Sequence, residues 1–164
     1  DLNNGIYLEA ELKGTNSTTF CAGVAGYPEK HFEAPNMQTD LSYLKKKVDA
    51  GAEYIVTQMF FDNKLFFEFE KKCRDMGITV PIIPGLKPIT SKKQLTIIPR
   101  TFYVDIPTEL SNEILKCRND DEVETVGGEW LLAQSKELKA AGVPVLHYYT
   151  LGKQHEIANV VKKL

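Results

Sequence analysis

Residues 53–61 read EYIVTQMFF, a nearly continuous apolar run rich in β-branched and aromatic side chains. That is the pattern of a strand covered on both faces. Asp62 or Asn63 can cap the helix that follows, with Leu65, Phe66, Phe69, Cys73 and Met76 on one stripe and Gly77 where a left-handed residue ends it. Residues 80–86 (VPIIPGL) then read as a second buried strand, interrupted by Pro84-Gly85 near its end. Two apolar strands joined by an amphipathic helix pair in parallel, because the crossover returns the chain to the same edge of the sheet.

The same alternation extends in both directions. Upstream, residues 19–27 (TFCAGVAGY) form a short β-rich run stopped by Pro28, and after a charged loop Thr39 or Asp40 can cap a helix carrying Leu41, Leu44 and Val48, ended by Gly51. Downstream come a short helical stretch over residues 90–99 halted by Pro99, an extended piece at Phe102 to Ile106, and amphipathic segments at 108–117 and 124–141. A fourth strand at residues 143–151 (VPVLHYYTL) and a final helix at 155–164 complete the pattern. Right-handed crossovers fix the hand. At roughly 30 residues or more per βα unit, 164 residues hold about four units, whereas a closed (βα)8 TIM barrel needs about 250. The chain is thus a self-contained four-unit α/β fold or half of a barrel. The absence of an initiating Met and the tail-like residues 1–18 favour the half barrel, with residues 19–164 supplying its units.

Composition narrows the partners. The chain is 43% hydrophobic and 26% charged, and 20 Lys plus Arg against 22 Asp plus Glu leave a formal charge of −2. That is no basic field for nucleic acid or an anionic membrane. No apolar run approaches the ~20 residues that span a bilayer, so the expectation is a cytoplasmic protein. Cys21, Cys73 and Cys117 lie far apart in sequence, without the close pairs of a zinc site or redox dithiol. All three are expected as reduced thiols in packed positions.

In parallel α/β folds ligands sit beyond the carboxyl ends of the strands. Those ends supply Tyr27 with His31, Thr57 with Gln58, Lys87 with Gln94 shortly after, and Tyr149 and Thr150 with Lys153. Hydrogen-bonding groups abound, but no Ser/His/Asp set, Gly-rich phosphate loop or metal-ligand spacing occurs, which speaks against a hydrolase. Gln58 interrupts an apolar strand, where an amide without partners would cost ~1 to 3 kcal/mol. His31 in a polar loop and the Lys45–Lys47 run each have an ordinary solvent-exposed reading. Phe60, Phe61, Phe66 and Phe67 read as core, and His147 as an interior residue. On these grounds alone the chain has a ligand-binding face and an unspecified ligand.

Five segments carry a resemblance: 23–31 (GVAGYPEKH), 47–52 (KVDAGA), 57–62 (TQMFFD), 82–88 (IIPGLKP) and 147–151 (HYYTL). Together, in order and from about residue 19 to the end, they resemble the 5,10-methylenetetrahydrofolate reductases, flavoproteins of one-carbon metabolism. The resemblance implies a (βα)8 barrel of which this chain supplies strands five to eight. It implies a ping-pong reaction in which NADH or NADPH reduces FAD, and the reduced flavin passes a hydride to methylenetetrahydrofolate, giving 5-methyltetrahydrofolate for methionine synthesis. The protein's part in such chemistry is placement and electrostatic tuning of the flavin.

By the same resemblance, Tyr27, His31, Asp40 and Lys46 match cofactor-binding positions of the family, and Lys47 the cationic side chain that meets the FAD phosphates. Gln58 matches a glutamine that meets folate and nicotinamide in turn, Gln94 a second folate-contacting glutamine, and Lys153 a cation for the folate glutamate tail. Lys46 and Lys153 stand where relatives carry Arg, keeping the charge without the bidentate fork. Tyr43 stands for an Asn and Ile98 for a nicotinamide-stacking aromatic. The family's general acid, a first-strand Glu, and its flavin-side Asp match nothing in these residues, so the 164 residues alone are expected to be inactive. Two open strand edges further predict a homo-oligomer or pairing with the other half of the barrel. The remaining rivals are half of another phosphate-binding barrel enzyme and a self-contained α/β binding module.

Overall fold

The computed structural model describes residues 2–4, 6, 16–150 and 154–164. Four strands, β1 (Gly23–Gly26), β2 (Tyr54–Met59), β3 (Ile82–Leu86) and β4 (His147–Tyr148), alternate with helices α1 (Met37–Asp49), α2 (Asn63–Asp75), α3 (Gln94–Phe102), α4 (Thr108–Lys116), α5 (Asp120–Ala140) and α6 (Gln154–Val161). A single turn of 3-10 helix covers Leu2–Asn4. The sheet order is β1-β2-β3-β4 and every pairing is parallel.

Each strand lies beside the next one in sequence, so crossovers of one hand stack the helices on one face of the sheet. Val24, Ile55, Ile82 and Leu86 on that face share a core with Leu41 and Leu44 of α1, Phe66, Phe69 and Cys73 of α2, Leu131 and Leu138 of α5, and Ile157 and Val160 of α6. A full burial of such side chains is worth about 1.5–3 kcal/mol each. On the other face Ala25, Val56 and Ile83 stand in register. Ala25 is exposed and the other two are half-buried. The strands are apolar on both faces, as the sequence indicates, but among the described residues helices cover only one. His147 accordingly lies exposed with its ring edge-on to Tyr149, 4.6 Å between centroids, rather than in the interior.

A second cluster forms past the ends of β2 and β3. There Met59, Phe61, Ile89, Ile98, Val104, Leu110, Ile114, Cys117 and Val123 pack together, binding α3, α4 and the start of α5 to the sheet. The body of α5 is tied down by polar groups: Trp130 Nε1 donates to the Phe61 carbonyl at 2.9 Å, and buried Asn63 donates to the Gln134 carbonyl at 3.1 Å and to Glu137 at 2.8 Å.

Local differences from the sequence expectation have simple causes. Helix α1 begins earlier, because Asn36 Oδ1 accepts the Thr39 amide at 2.9 Å and caps as well as Thr or Asp would. Asn119 likewise caps α5 by accepting from Glu122. Helix α3 runs through Pro99, which forfeits one amide bond, and stops at Tyr103 in the left-handed conformation, φ 55°. Residues 102–106 form no strand; Val104 is anchored in the second cluster instead. Strands β1 and β4 are much shorter than the runs at 19–27 and 143–151. Cys21 is exposed, unlike the packed Cys73 and Cys117, because it precedes β1 where the sheet is uncovered.

Candidate functional site

The carboxyl end of β1 turns at Tyr27-Pro28 into a loop that leads to α1. Asp40, in the first turn of α1, reaches back and accepts the His31 amide at 2.9 Å, which ties the loop to the helix. Lys30, in the left-handed region at φ 79°, donates from Nζ to the carbonyls of His31 at 3.0 Å and Ala34 at 2.7 Å. Tyr27 and His31 meet edge to face at 4.6 Å. Between this loop and α1 lies a cavity of about 500 Å³, within the range of small-molecule sites, lined by Tyr27, His31, Asp40, Tyr43, Lys46 and Lys47 among others. Burial, reinforced by the Asp40 carboxylate, pushes the Tyr27 phenol up, so it remains a proton donor at neutral pH. Lys46 lies over the Tyr43 ring at 5.2 Å, a cation–π contact that holds this ammonium at the rim. The lining thus combines aromatic faces, the Asp40 and Glu33 carboxylates and two exposed cations. Such a set offers ring faces and charged groups of both signs side by side.

At the ends of β2 and β3 the ladder is irregular. Val56 pairs with Ile83 and Met59 with Gly85, so Thr57 and Gln58 together face Pro84 alone. Proline has no amide to donate, and an extra residue in the facing strand absorbs the mismatch as a bulge, a device common beside ligand sites. Side chains replace the missing ladder bonds. The Gly85 amide donates to Thr57 Oγ1 at 2.9 Å, the Tyr149 hydroxyl to the Thr57 carbonyl at 2.9 Å, and the Met59 amide to Gln58 Oε1 at 2.9 Å. Gln58 is half-buried on the strand side it shares with Tyr54 and Val56. Its amide oxygen therefore has a partner in its own strand, which offsets the expected burial penalty.

Gln94 opens α3 and folds back on the preceding loop, accepting the Thr90 amide at 2.8 Å and donating to Thr90 Oγ1 at 3.3 Å. Neither glutamine lines the cavity beside α1. Lys87 is buried, with Nζ donating to the Pro88 carbonyl at 3.2 Å. Lys153 lies outside the described residues. The structure thus brings Tyr27, His31, Asp40, Lys46 and Lys47 to one cavity and leaves Gln58 and Gln94 at the neighbouring strand ends.

One titratable residue was not singled out from the sequence. Glu29 follows Pro28, and its Oε2 accepts the Asp105 amide at 2.8 Å while Oε1 is buried without a partner. Burial, with Asp105 and Asp62 nearby, pushes its carboxyl up to about 7 despite the amide bond. Only its place in the quoted 23–31 segment marked it; the burial arises from a loop 76 residues away. Among the described residues no helix is long and apolar enough to cross a membrane, and no group of three His, Cys, Asp or Glu could hold a metal ion.

A family model described as methylenetetrahydrofolate reductase matches residues 8–164. The chain belongs to the methylenetetrahydrofolate reductase family. It is 37% identical over 147 residues to the probable methylenetetrahydrofolate reductase (NADPH) of Caenorhabditis elegans, a match covering 88% of this chain and 22% of that protein. The methylenetetrahydrofolate reductase (NADH) 1 of Arabidopsis thaliana is 38% identical over 151 residues, 86% of this chain and 26% of that one. The 5,10-methylenetetrahydrofolate reductase of Salmonella typhimurium is 40% identical over 135 residues, 82% and 46% respectively. The chain therefore spans less than half the length of these reductases. Among solved structures, a Clostridium thermocellum protein that binds two copies of 5-methyl-5,6,7,8-tetrahydrofolic acid superposes with a TM-score of 0.55 at 19% identity, over 85% of this chain and 50% of that one. At that identity the likeness speaks for the α/β fold. The reductase match includes the β1–α1 loop, the bulge and the α3 glutamine, so each candidate residue falls inside the family region.

Proposed function

We propose that this chain supplies four consecutive βα units, strands five to eight, of a (βα)8 barrel that reduces 5,10-methylenetetrahydrofolate to 5-methyltetrahydrofolate. The observation that carries the reading is the convergence of Tyr27, His31, Asp40, Lys46 and Lys47 on one cavity at the carboxyl end of a parallel strand. The uncovered face bearing Ala25, Val56 and Ile83 supports the barrel, since that face is the interior in such folds.

The cavity fits a portion of FAD. Lys46 and Lys47 would meet its phosphates, while Tyr27 and His31 present ring edges and hydrogen-bonding atoms to its planar part. Bound there, FAD supplies two-electron hydride transfer between NADH or NADPH and the folate. The remaining work belongs to the side chains. Asp40 holds the loop through the His31 amide, so the rings keep their places. The Gln58 and Gln94 amides each offer both donor and acceptor atoms, which suits the edge of a pterin. Lys153 would serve the glutamate tail.

The reading is tested by titrating FAD into the full-length protein and following flavin absorbance. Replacing both Lys46 and Lys47 by Ala removes two charge-assisted contacts, and the expected loss of affinity is roughly tenfold or more. Unchanged flavin affinity would overturn the assignment of this cavity.

A further inference from the structure

Resting on that reading, we infer that Tyr149 is a positioning residue for Gln58: by holding the Thr57 carbonyl across the sheet it keeps the bulge that sets Gln58 at the carboxyl end of β2. The Tyr149 ring passes over β3 from the end of β4 to reach β2. Gly85 makes the passage possible. A Cβ there would lie 2.7 Å from the Tyr149 ring and 2.2 Å from the Thr57 carbonyl oxygen, so any side chain at 85 would displace either the tyrosine or the strand.

Without this hydroxyl the Thr57 carbonyl loses its bond, and the segment at 57–58 loses the contact that distinguishes it from a regular strand. Pro84 offers no amide for regular pairing, so an unheld bulge leaves the Gln58 side chain without a fixed place at the strand end. Tyr149 is also half-buried, and burial with the nearby Tyr27 phenol pushes its pKa up, so the hydroxyl stays protonated as a donor. Tyr149 thus reaches the bulge of β2 from the far side of β3.

The test uses the full-length protein and Tyr149→Phe, which keeps the ring packed over Gly85 and removes only the hydroxyl. The expected result is a rise in KM for methylenetetrahydrofolate of roughly three- to tenfold, the value of one neutral hydrogen bond, with FAD affinity unchanged. Gln58→Ala raises the same KM, and the double variant is no worse than Gln58→Ala alone, because the hydroxyl acts through Gln58. Independent, multiplying losses would assign Tyr149 a role separate from Gln58 and overturn the inference, as would a Tyr149→Phe enzyme with unaltered KM beside an impaired Gln58→Ala. A Gln58→Ala enzyme with normal folate kinetics would instead remove Gln58 from the proposed site, and the inference with it. Folding of Tyr149→Phe is checked by its far-UV circular dichroism; should it fail, Gly85→Ala, whose Cβ would displace the tyrosine or the strand, is the second variant, with a raised KM expected and an unaltered KM overturning the inference.

Discussion

Glu29 shows how much one residue's environment can differ from its sequence neighbourhood. It sits in a polar loop, yet one carboxylate oxygen is enclosed without a partner and Asp105 and Asp62 repel its charge. Its folded pKa, about 7, lies above the ordinary value of 4.5. The folded state therefore binds the proton more tightly than the unfolded chain, and the stability contributed by protonation is full below about 4.5 and is lost as pH rises to about 7. Denaturation midpoints measured between pH 4.5 and 8 are expected to fall with rising pH, and Glu29→Gln to flatten that slope. An equal slope in the variant would assign the dependence to other groups. Cys73 is pushed the same way: burial raises its thiol to about 12, so it is inert toward oxidants that need a thiolate.

At the scale of elements, α5 carries the most pointed contrast. Gly127 and Gly128 are adjacent, and composition gives no reason to separate them. A Cβ at Gly127 would come within 1.9 Å of the Ile89 carbonyl oxygen, where the helix presses on the loop after β3; at Gly128 it would meet nothing within 4 Å. Gly127→Ala is expected to destabilise by about 1–3 kcal/mol or more. Gly128→Ala should stabilise by roughly 0.5–1 kcal/mol, since glycine is a poor helix former. Urea denaturation of the two variants checks both signs, and a stabilised Gly127→Ala would contradict the observed packing. The element order and the turn glycines 51, 77 and 142, all at positive φ, were legible from local pattern. Helix starts were less so, because Asn, Asp, Ser and Thr compete as caps and the winner depends on the side-chain geometry achieved. Strands β1 and β4 were overestimated because an apolar run marks potential for pairing, whereas strand length requires a partner in register.

For the whole molecule, the uncovered sheet face and the outer strands β1 and β4 accord with the proposal that further chain completes a barrel. Under that proposal, residues 1–164 alone oxidise no NADH or NADPH in the presence of FAD and methylenetetrahydrofolate, while co-expression with the preceding portion of a full-length relative restores turnover. Stopped-flow assay of both preparations decides it, and turnover by residues 1–164 alone would refute the need for the other half. The sequence by itself determined the βα order, the parallel sheet, the family and the set of residues around the β1–α1 loop, because each of these is written in local periodicity, capping or contiguous motifs. Only the tertiary structure decided that helices among the described residues cover one sheet face alone, that Thr57 and Gln58 bulge opposite Pro84, that Gln58 bonds its own strand and that one oxygen of Glu29 is enclosed. Those features depend on backbone register and on groups far apart in the chain, and the free energy of such contacts is set by where the elements pack rather than by any one segment.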